Sequence, residues 1–291
     1  MRQARLSGNF MWDVLLDALL DSLKIFPFLF LIYLVLEIIE SRKYTEKLEK
    51  FLSGKAAPVV GAAAGIVPEC GFSAMYAKLY ENRLIATGTL IAIFISASDE
   101  GLIVLLSNGT PIWITLLLVG IKFVYGIAVG YLVNFLFFRK EKIGYDGPVE
   151  NCMECGEELE GKWKKYLFHP LFHSLKILLF IFIVNVAFGA LIFYIGEEKI
   201  SGFLAANLYL QPLAAALVGL IPNCSASVLL AQSYTLGMIS FAALAAGLSA
   251  NAGIGLALIM KNRAQWKKNL FVLGALFFFS VALGYLLLLF V

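Results

Sequence analysis

Several stretches of this chain are long and apolar enough to cross a lipid bilayer. Residues from Pro111 to Phe138 contain a single charged side chain, Lys122, and runs of more than about 18 apolar residues recur along the sequence. Apolar residues make up 60% of the composition and charged residues 15%. The sequence therefore predicts an all-α polytopic membrane protein embedded in lipid. The net charge of +3 does not indicate a nucleic-acid partner, because basic residues in such chains mainly set orientation.

Two of the apolar segments are interrupted by a proline and polar residues. Residues 56–83 are interrupted at Pro68–Gly71, and residues 201–233 are interrupted around Pro222. Each arm of about 12 residues covers about 18 Å, which is shorter than a hydrocarbon core of about 30 Å. Such a break is tolerated only where it is buried in protein or faces a polar cavity. We therefore expect two re-entrant helical hairpins whose tips lie near the middle of the membrane.

Six further segments are predicted to form full spans, and two of these carry polar interruptions. The interruptions are Ser96–Gly101 and the segment that contains Ser249 and Asn251. A cytoplasmic polar loop, residues 139–165, separates a first membrane repeat, 1–138, from a second, 166–291. The predicted spans are residues 14–40, 84–106, 111–138, 167–195, 238–260 and 269–291.

The two membrane regions are repeats of each other. At a constant offset of 154 residues, eleven of the 38 positions from Gly65 to Leu102 carry the same residue in the second half. Three spans and one hairpin per half give five helices each and opposite topologies, as in secondary transporters with inverted repeats. The matched landmarks are Pro68 with Pro222, Cys70 with Cys224, Ser73 with Ser227, Tyr80 with Tyr234 and Gly101 with Gly255.

The basic residues predict which side of the membrane each loop occupies. Residues 42–50, 78–83, 139–165 and 261–268 are rich in lysine and arginine, which favours a cytoplasmic location. Both termini are then predicted to lie outside.

The hairpin tips and the interrupted spans place polar residues at four points in the membrane. In secondary transporters with broken helices, the substrate binds near the midplane at the repeat interface. Carboxylates and amides suit hard divalent ions, and thiolates suit soft ones. Each proline alone would be typical of a kink and each cysteine of a packing residue, but their repetition favours a site. The candidate substrate-binding residues are Glu69, Cys70, Ser73, Ser98, Asp99, Glu100, Asn223, Cys224, Ser225 and Asn251, and the metal ligands among them are Glu69, Cys70, Asp99, Glu100, Asn223 and Cys224.

Asp99, Glu100 and Lys122 lie well inside predicted spans, where charge is costly and usually functional. Asp99 and Glu100 interrupt one span, and Lys122 lies in the next at a depth close to that of Asp99. Lys122 is predicted either to be a counter-charge for Asp99 or to replace a transported cation when the site empties. In the second case, protons would be coupled through Glu69 or Glu100.

Three further pairs of residues are weaker metal candidates, two of them at the starts of the spans 14–40 and 167–195. Two pairs have a spacing of four, which places both side chains on one helix face, although residues that enter a span are often only interfacial. The third is a Cys-x-x-Cys without the second pair that a structural zinc site needs, so metal capture, pairing with another chain and no role stay open. The pairs are Asp17 with Asp21, His169 with His173, and Cys152 with Cys155.

The sequence resembles the bacterial ten-helix heavy-metal exporter family over nearly the whole membrane region, and two segments carry the resemblance most specifically. These are Gly65–Ser73, which contains the Pro-x-Cys tip, and Gly88–Glu100, which ends in Ser-Asp-Glu. Members of that family are labelled arsenic efflux proteins or manganese transporters, and the tip is distantly similar to that of organoarsenical permeases. The resemblance implies efflux of a metal or metalloid ion across the cytoplasmic membrane of a bacterium.

Together, these features predict a secondary active exporter of a metal or metalloid ion with proton coupling. No ATP-binding loop is present, and no cofactor is predicted. A divalent cation such as manganese is favoured slightly over an arsenical, because trivalent arsenic prefers two or three thiolates and only Cys70 and Cys224 lie in the membrane. The alternative is a sodium- or proton-coupled transporter of a small organic anion. An enzyme is disfavoured because Cys70 has no histidine at its depth, and homo-oligomerisation stays open.

Overall fold

Helices are the only regular secondary structure in the part of the chain that the structure describes. The computed structural model describes residues 19, 54, 56–66, 70–97, 100–138, 175, 178–179, 182–183, 186, 207–262 and 265–290, and none of these lies in a strand. The helices with defined bounds are α1 (Ala57–Gly65), α2 (Cys70–Glu81), α3 (Thr87–Ser96), α4 (Glu100–Ser107), α5 (Ile112–Leu136), α6 (Gln211–Gly219), α7 (Cys224–Thr235), α8 (Phe241–Ala250), α9 (Gly253–Lys261) and α10 (Trp266–Leu288).

Each half contains a pair of short helices where the sequence predicts a hairpin. α1 and α6 both carry a proline in the first turn, where its missing N–H costs the helix nothing. α1 has nine residues and α2 has twelve, so they cover about 14 Å and 18 Å, well short of a membrane core. The interruption between α1 and α2 is shorter than predicted, because Cys70 and Gly71 already belong to α2.

The predicted interruptions of two spans are confirmed. α3 ends at Ser96 and α4 begins at Glu100, while α8 ends at Ala250 and α9 begins at Gly253. Neither interruption contains a proline, so neither break arises from a missing backbone N–H.

The helix bounds recur at the same offset of 154 residues that relates the two halves of the sequence. α1, α2 and α3 have the same bounds as α6, α7 and α8 after this shift, and α5 starts where α10 starts. The last residues of α4 and α9 are also equivalent. One structural unit is thus built twice.

Within each half, small residues let the long helix approach the others closely. A Cβ atom placed on Gly130 of α5 would lie 2.8 Å from the Cβ of Ala92 in α3. A Cβ atom placed on the equivalent Gly284 of α10 would also lie 2.8 Å from the Cβ of Ala246 in α8. A side chain at either glycine would force the helices apart, so the same close packing holds both units together.

The two halves contact each other through the second helix of each hairpin, α2 in the first half and α7 in the second. α2 packs on α9, and α7 packs on α4, so each arm lies against the opposite half. Such reciprocal contacts, in which i meets j and j meets i, are the mark of a two-fold relation. The Tyr125 hydroxyl donates to the carbonyl oxygen of Phe279 at 2.8 Å, and these two residues are themselves 154 positions apart. A residue can touch its own repeat equivalent only near the axis, so this bond locates a pseudo-two-fold axis between α5 and α10.

Four helical stretches in the described part of the chain are long and apolar enough to cross a membrane. Two of them, Thr87–Ser107 and Phe241–Lys261, contain the breaks and are 73% and 89% buried. The other two, α5 and α10, are only 28% buried, and their outer faces are apolar. The prediction of an all-α polytopic membrane protein is confirmed, with the broken helices at the centre and the continuous ones around them.

Several predicted segments lie outside the described residues. These are most of the span 14–40, the polar loop 139–165 and most of the span 167–195. The positions described between 175 and 186 are helical, as the last of these predictions requires.

Candidate functional site

The two helix breaks lie at equivalent places in the two halves. Ala97 follows the last residue of α3 and has an extended backbone, with φ −55° and ψ 135°. Asn251, its repeat equivalent, follows α8 and is also extended, with φ −79° and ψ 102°. The last carbonyl groups of a helix have no intrahelical partner. Each break therefore makes carbonyl oxygens available inside the protein.

Lys122 lies at the junction of the two broken helices. Its side chain extends from α5 and is 1% exposed. Its Nζ group donates hydrogen bonds to the carbonyl oxygen of Ala97 and, at 2.8 Å, to that of Leu248 in the last turn of α8. Partial negative charge collects at the C-terminal ends of helices, so both ends attract the ammonium group. A buried cation thus joins a break in the first half to a break in the second.

The Asn251 side chain shapes the second break. Its Oδ1 accepts a hydrogen bond from the N–H of Gly253 at 2.8 Å. Gly253 has a φ of +53°, a left-handed conformation that glycine adopts without strain. Because the oxygen must face this donor, the orientation of the amide is determined.

The other end of the same amide is a buried donor without an acceptor. Asn251 is 1% exposed, and its Nδ2 has no hydrogen-bond partner. A buried donor left unpaired costs about 1–3 kcal/mol. A bound group with an oxygen acceptor would remove this cost by accepting from Asn251 Nδ2.

Ser249 places a second unpaired polar group at this break. Its hydroxyl is fully buried and has no partner. Other helical serines here bond back to a carbonyl of the preceding turn, as Ser96 does to Ala92 at 2.8 Å and Ser233 to Leu229 at 2.8 Å. Unpaired hydroxyls also occur elsewhere in the described helices, so what distinguishes Ser249 is its position two residues from Asn251. Thr89, Thr115 and Ser280 are examples of other residues with a buried hydroxyl that has no partner.

The tip of the second hairpin is built on an N-cap. Asn223 is 3% exposed, and its Oδ1 accepts from the N–H of Ser225 at 2.8 Å, which caps the start of α7. Cys224, the first residue of α7, is also 3% exposed, whereas Ser225 is exposed. The N-terminal end of a helix favours negatively charged groups, so this tip is suited to an anion or to a thiolate.

The second arms of the hairpins bring the tips toward the breaks of the opposite half. Ser73 in α2 is buried, and its Oγ accepts a hydrogen bond from the N–H of Gly255 in α9 at 3.3 Å. A Cβ on Gly255 would lie 2.5 Å from the Ser73 carbonyl oxygen, and one on Gly101 would lie 3.0 Å from that of Ser227. Each arm therefore touches the first turn after the opposite break.

The structure describes part of the predicted site. Lys122 and Asn251 lie at the breaks, Asn223 and Cys224 at a tip, and Ser73 where a hairpin meets the opposite half. Cys70 and Glu100 begin α2 and α4. Among the residues whose placement is described, no three His, Cys, Asp or Glu side chains form a group that could hold a metal. The remaining candidates lie outside the described residues: Glu69, Ser98, Asp99, Asp17, Asp21, His169, His173, Cys152 and Cys155.

The backbone groups of this site could not be found from the sequence. The carbonyl oxygens of Ala97 and Leu248 bind Lys122, but an alanine and a leucine carry no chemical signal in a sequence. Ser249 was noted in the break but not proposed as a binding residue. The repeated glycines, Gly101 and Gly255, were a usable signal, because a glycine shared by two repeats points to a close backbone approach.

Residues 172–290 match the model of the family described as "Putative, 10TM heavy-metal exporter". The family resemblance of the sequence is confirmed over these residues. The matched range contains α6 to α10, and therefore the tip at Asn223 and the break at Asn251. The family description is that of a membrane transport protein for heavy metals. No curated protein and no solved structure matches the chain.

Proposed function

We propose that this protein is a secondary active transporter that exports a metal or metalloid ion across the cytoplasmic membrane. The observation that carries the proposal is the meeting of two broken helices on one buried cation, Lys122, beside the unpaired amide of Asn251. Broken helices that meet at a repeat interface are the binding sites of secondary transporters. The family description of residues 172–290 supports the same activity.

The proposed binding site lies between the two hairpin tips and the two breaks. Carboxylates would come from Glu69, Asp99 and Glu100, and thiols from Cys70 and Cys224. In this proposal the halves are inverted repeats, so the two tips approach the midplane from opposite sides. Export then requires the site to open alternately to each side, with protons moving through Glu69 or Glu100.

Two substrate chemistries fall within this proposal. The carboxylates favour a divalent cation such as manganese, which is the substrate that we propose first. Asn251 supports the second, because its unpaired N–H needs an oxygen acceptor, and a hydroxylated metalloid such as arsenite offers one. The oxygen of a metal-bound water is turned toward the metal and would accept poorly.

Metal content of cells decides between these substrates. Strains with and without the protein would be grown with manganese, zinc, iron, arsenite or methylated arsenite, and intracellular content would be measured. We expect one substrate to accumulate less when the protein is present. Asp99→Asn and Glu69→Gln should abolish this difference while the protein still inserts.

A control variant distinguishes loss of the binding site from a general effect on the helices. Thr115→Val removes a buried, unpaired hydroxyl from α5, the helix that carries Lys122, at almost constant volume. It should export like the wild type. Unchanged export by both carboxylate variants, or no response to any member of the panel, would overturn the proposal.

A transporter of a small organic anion is the second candidate function. Lys122 and the Asn251 N–H are both hydrogen-bond donors, and the start of α7 favours negative charge. In that case the carboxylates would bind a coupling sodium ion. Sodium-dependent uptake of a carboxylic acid into vesicles, with no response to metals, would establish this function instead.

A further inference from the structure

The ammonium group of Lys122 is held by backbone carbonyls, which are ligands for small cations. Two of its hydrogen bonds go to Ala97 O and Leu248 O, which we call the carbonyl seat. Each oxygen lies at the C-terminal end of a half-helix, so each combines a lone pair with the negative end of a helix dipole. In secondary transporters, carbonyls of this kind at broken helices coordinate the coupling cation.

The carbonyl seat belongs to both halves, but the lysine occurs only once. Ala97 is in the first repeat and Leu248 in the second, so a cation in the seat bridges the two. The repeat equivalent of Lys122 is Leu276, which is completely buried and apolar. Tyr125, less than one turn from Lys122, makes the bond to Phe279 that marks the pseudo-two-fold axis. The seat therefore lies close to the axis, where two halves share one site.

We propose that Lys122 is a tethered cation that occupies a coupling-cation site at the junction of the two broken helices. The inference deepens the proposed function and rests on it for transport, but not for cation binding. Its consequence is that the wild-type protein works without sodium or potassium. A variant without the ammonium group has a carbonyl-lined site that a sodium ion can fill.

Thermal unfolding of the purified protein tests cation binding directly. Wild type, Lys122→Ala and Leu276→Ala would be melted in sodium chloride and in choline chloride at equal ionic strength. Sodium should raise the melting temperature of Lys122→Ala by about 2 °C or more, because a ligand that binds only the folded state stabilises it. Wild type and Leu276→Ala should melt equally in both salts. Leu276→Ala is the matched control, since it removes a buried side chain at the equivalent position without removing a charge.

Two further variants keep the test decisive. Lys122→Met fills the space with apolar atoms and should gain no response to sodium. If Lys122→Ala does not fold, Lys122→Ser supplies a hydroxyl oxygen as an additional ligand and should respond to sodium. The proposal is overturned if the small variant that folds melts equally in both salts, or if the wild type is itself stabilised by sodium over choline.

The transport arm uses vesicles and the substrate that the metal panel identifies. Wild-type export should be the same in sodium and choline, whereas Lys122→Ala should lose export roughly tenfold in choline and regain part of it in sodium. If the wild type exports no metal at all, the proposed function has failed, while the melting experiment still decides whether Lys122 fills a cation site.

Discussion

The two breaks both begin with an extended residue, Ala97 in the first half and Asn251 in the second, and differ in their chemistry. In the first half, the carbonyl oxygen of Ala97 accepts from Lys122; in the second, the equivalent Asn251 folds its own side chain onto Gly253. Asp99 stands in the sequence where Gly253 stands 154 positions later, and Leu276 replaces Lys122. At these equivalent positions, the charged residues Asp99 and Lys122 therefore belong to the first half alone. This difference indicates that the repeat supplies the architecture, while departures from the repeat supply the chemistry.

The largest expected effect is at Lys122, and it tests whether the charged residue contributes more than its repeat equivalent, Leu276. Lys122→Met should destabilise the fold by about 3 kcal/mol, because it leaves two buried carbonyl groups without their donor, and it should abolish export. Leu276→Met, a swap of similar volume at the equivalent position, should cost less than about 1.5 kcal/mol. Denaturation in detergent measures both values. Equal losses of unfolding free energy in the two variants would show that the charge of Lys122 contributes nothing beyond side-chain packing.

A double variant sharpens this prediction. If Lys122 is a counter-charge for Asp99, Lys122→Met combined with Asp99→Asn should be more stable than Lys122→Met alone. Additive losses would show that the two side chains act independently.

The second prediction concerns the crossing of the hairpins. Gly255→Ala would place a Cβ 2.5 Å from the Ser73 carbonyl oxygen, and Gly101→Ala would place one 3.0 Å from that of Ser227. Both should destabilise the protein by about 1–3 kcal/mol, with Gly255→Ala the more severe.

Another pair of equivalent glycines provides the control for this test. Gly120 and Gly274 lie in α5 and α10, where a Cβ would meet no atom within 4 Å. Gly120→Ala and Gly274→Ala should leave the melting temperature unchanged or raise it slightly, because alanine favours helix. A loss at these positions equal to that at Gly255 would contradict the crossing contacts.

The third prediction separates the two ends of the Asn251 amide. Asn251→Asp keeps an oxygen for the Gly253 N–H but removes the unpaired N–H, so it should fold and lose export roughly tenfold. Asn251→Ala also loses the turn and should be destabilised by about 1 kcal/mol. Asn207 makes the same bond to the residue two positions on, but it is exposed. Asn207→Ala should therefore leave export intact, and an equal loss in this control would argue against a site at Asn251.

The smallest expected effect is at the hairpin tip. Asn223→Ala removes the N-cap of α7 and should cost about 1 kcal/mol, while Asn223→Asp should restore the cap. Ser225→Ala, at an exposed position, should stay within about 0.5 kcal/mol of the wild type. Melting of the four proteins side by side provides the measurement. No loss in Asn223→Ala would show that the tip is held by other contacts.

Most of the fold could be predicted from the sequence, because lipid restricts the choices. Apolar length fixes the spans, and a repeated landmark such as Pro68 with Pro222 reveals the duplication. The breaks were also predictable, since polar residues such as Ser96 and Asn251 interrupt runs that are otherwise apolar.

The site could be predicted only where its chemistry belongs to side chains. Lys122 and Asn251 were found because an ionisable group or an amide in a membrane segment is conspicuous. Their partners were not, since Leu248 and Ala97 act through carbonyl oxygens that every residue has. Nor does a sequence show that α2 packs on α9 rather than on its own half, because that pairing depends on the three-dimensional path of the hairpins.

The bond between Tyr125 and Phe279 has a consequence for motion. If the halves are inverted repeats, as we propose, and adopt slightly different conformations, the state that opens to the other side is obtained by exchanging those conformations between the halves. Residues at the axis should stay in contact through this exchange, but the hydrogen bond should not, because Phe279 has no hydroxyl to donate to the carbonyl oxygen of Tyr125. The pairs Ser73–Gly255 and Ser227–Gly101 would instead swap their spacings, which differ in this structure. The contact between Tyr125 and Phe279 would then lie where the two halves turn, and its hydrogen bond would be present in one state and absent in the other.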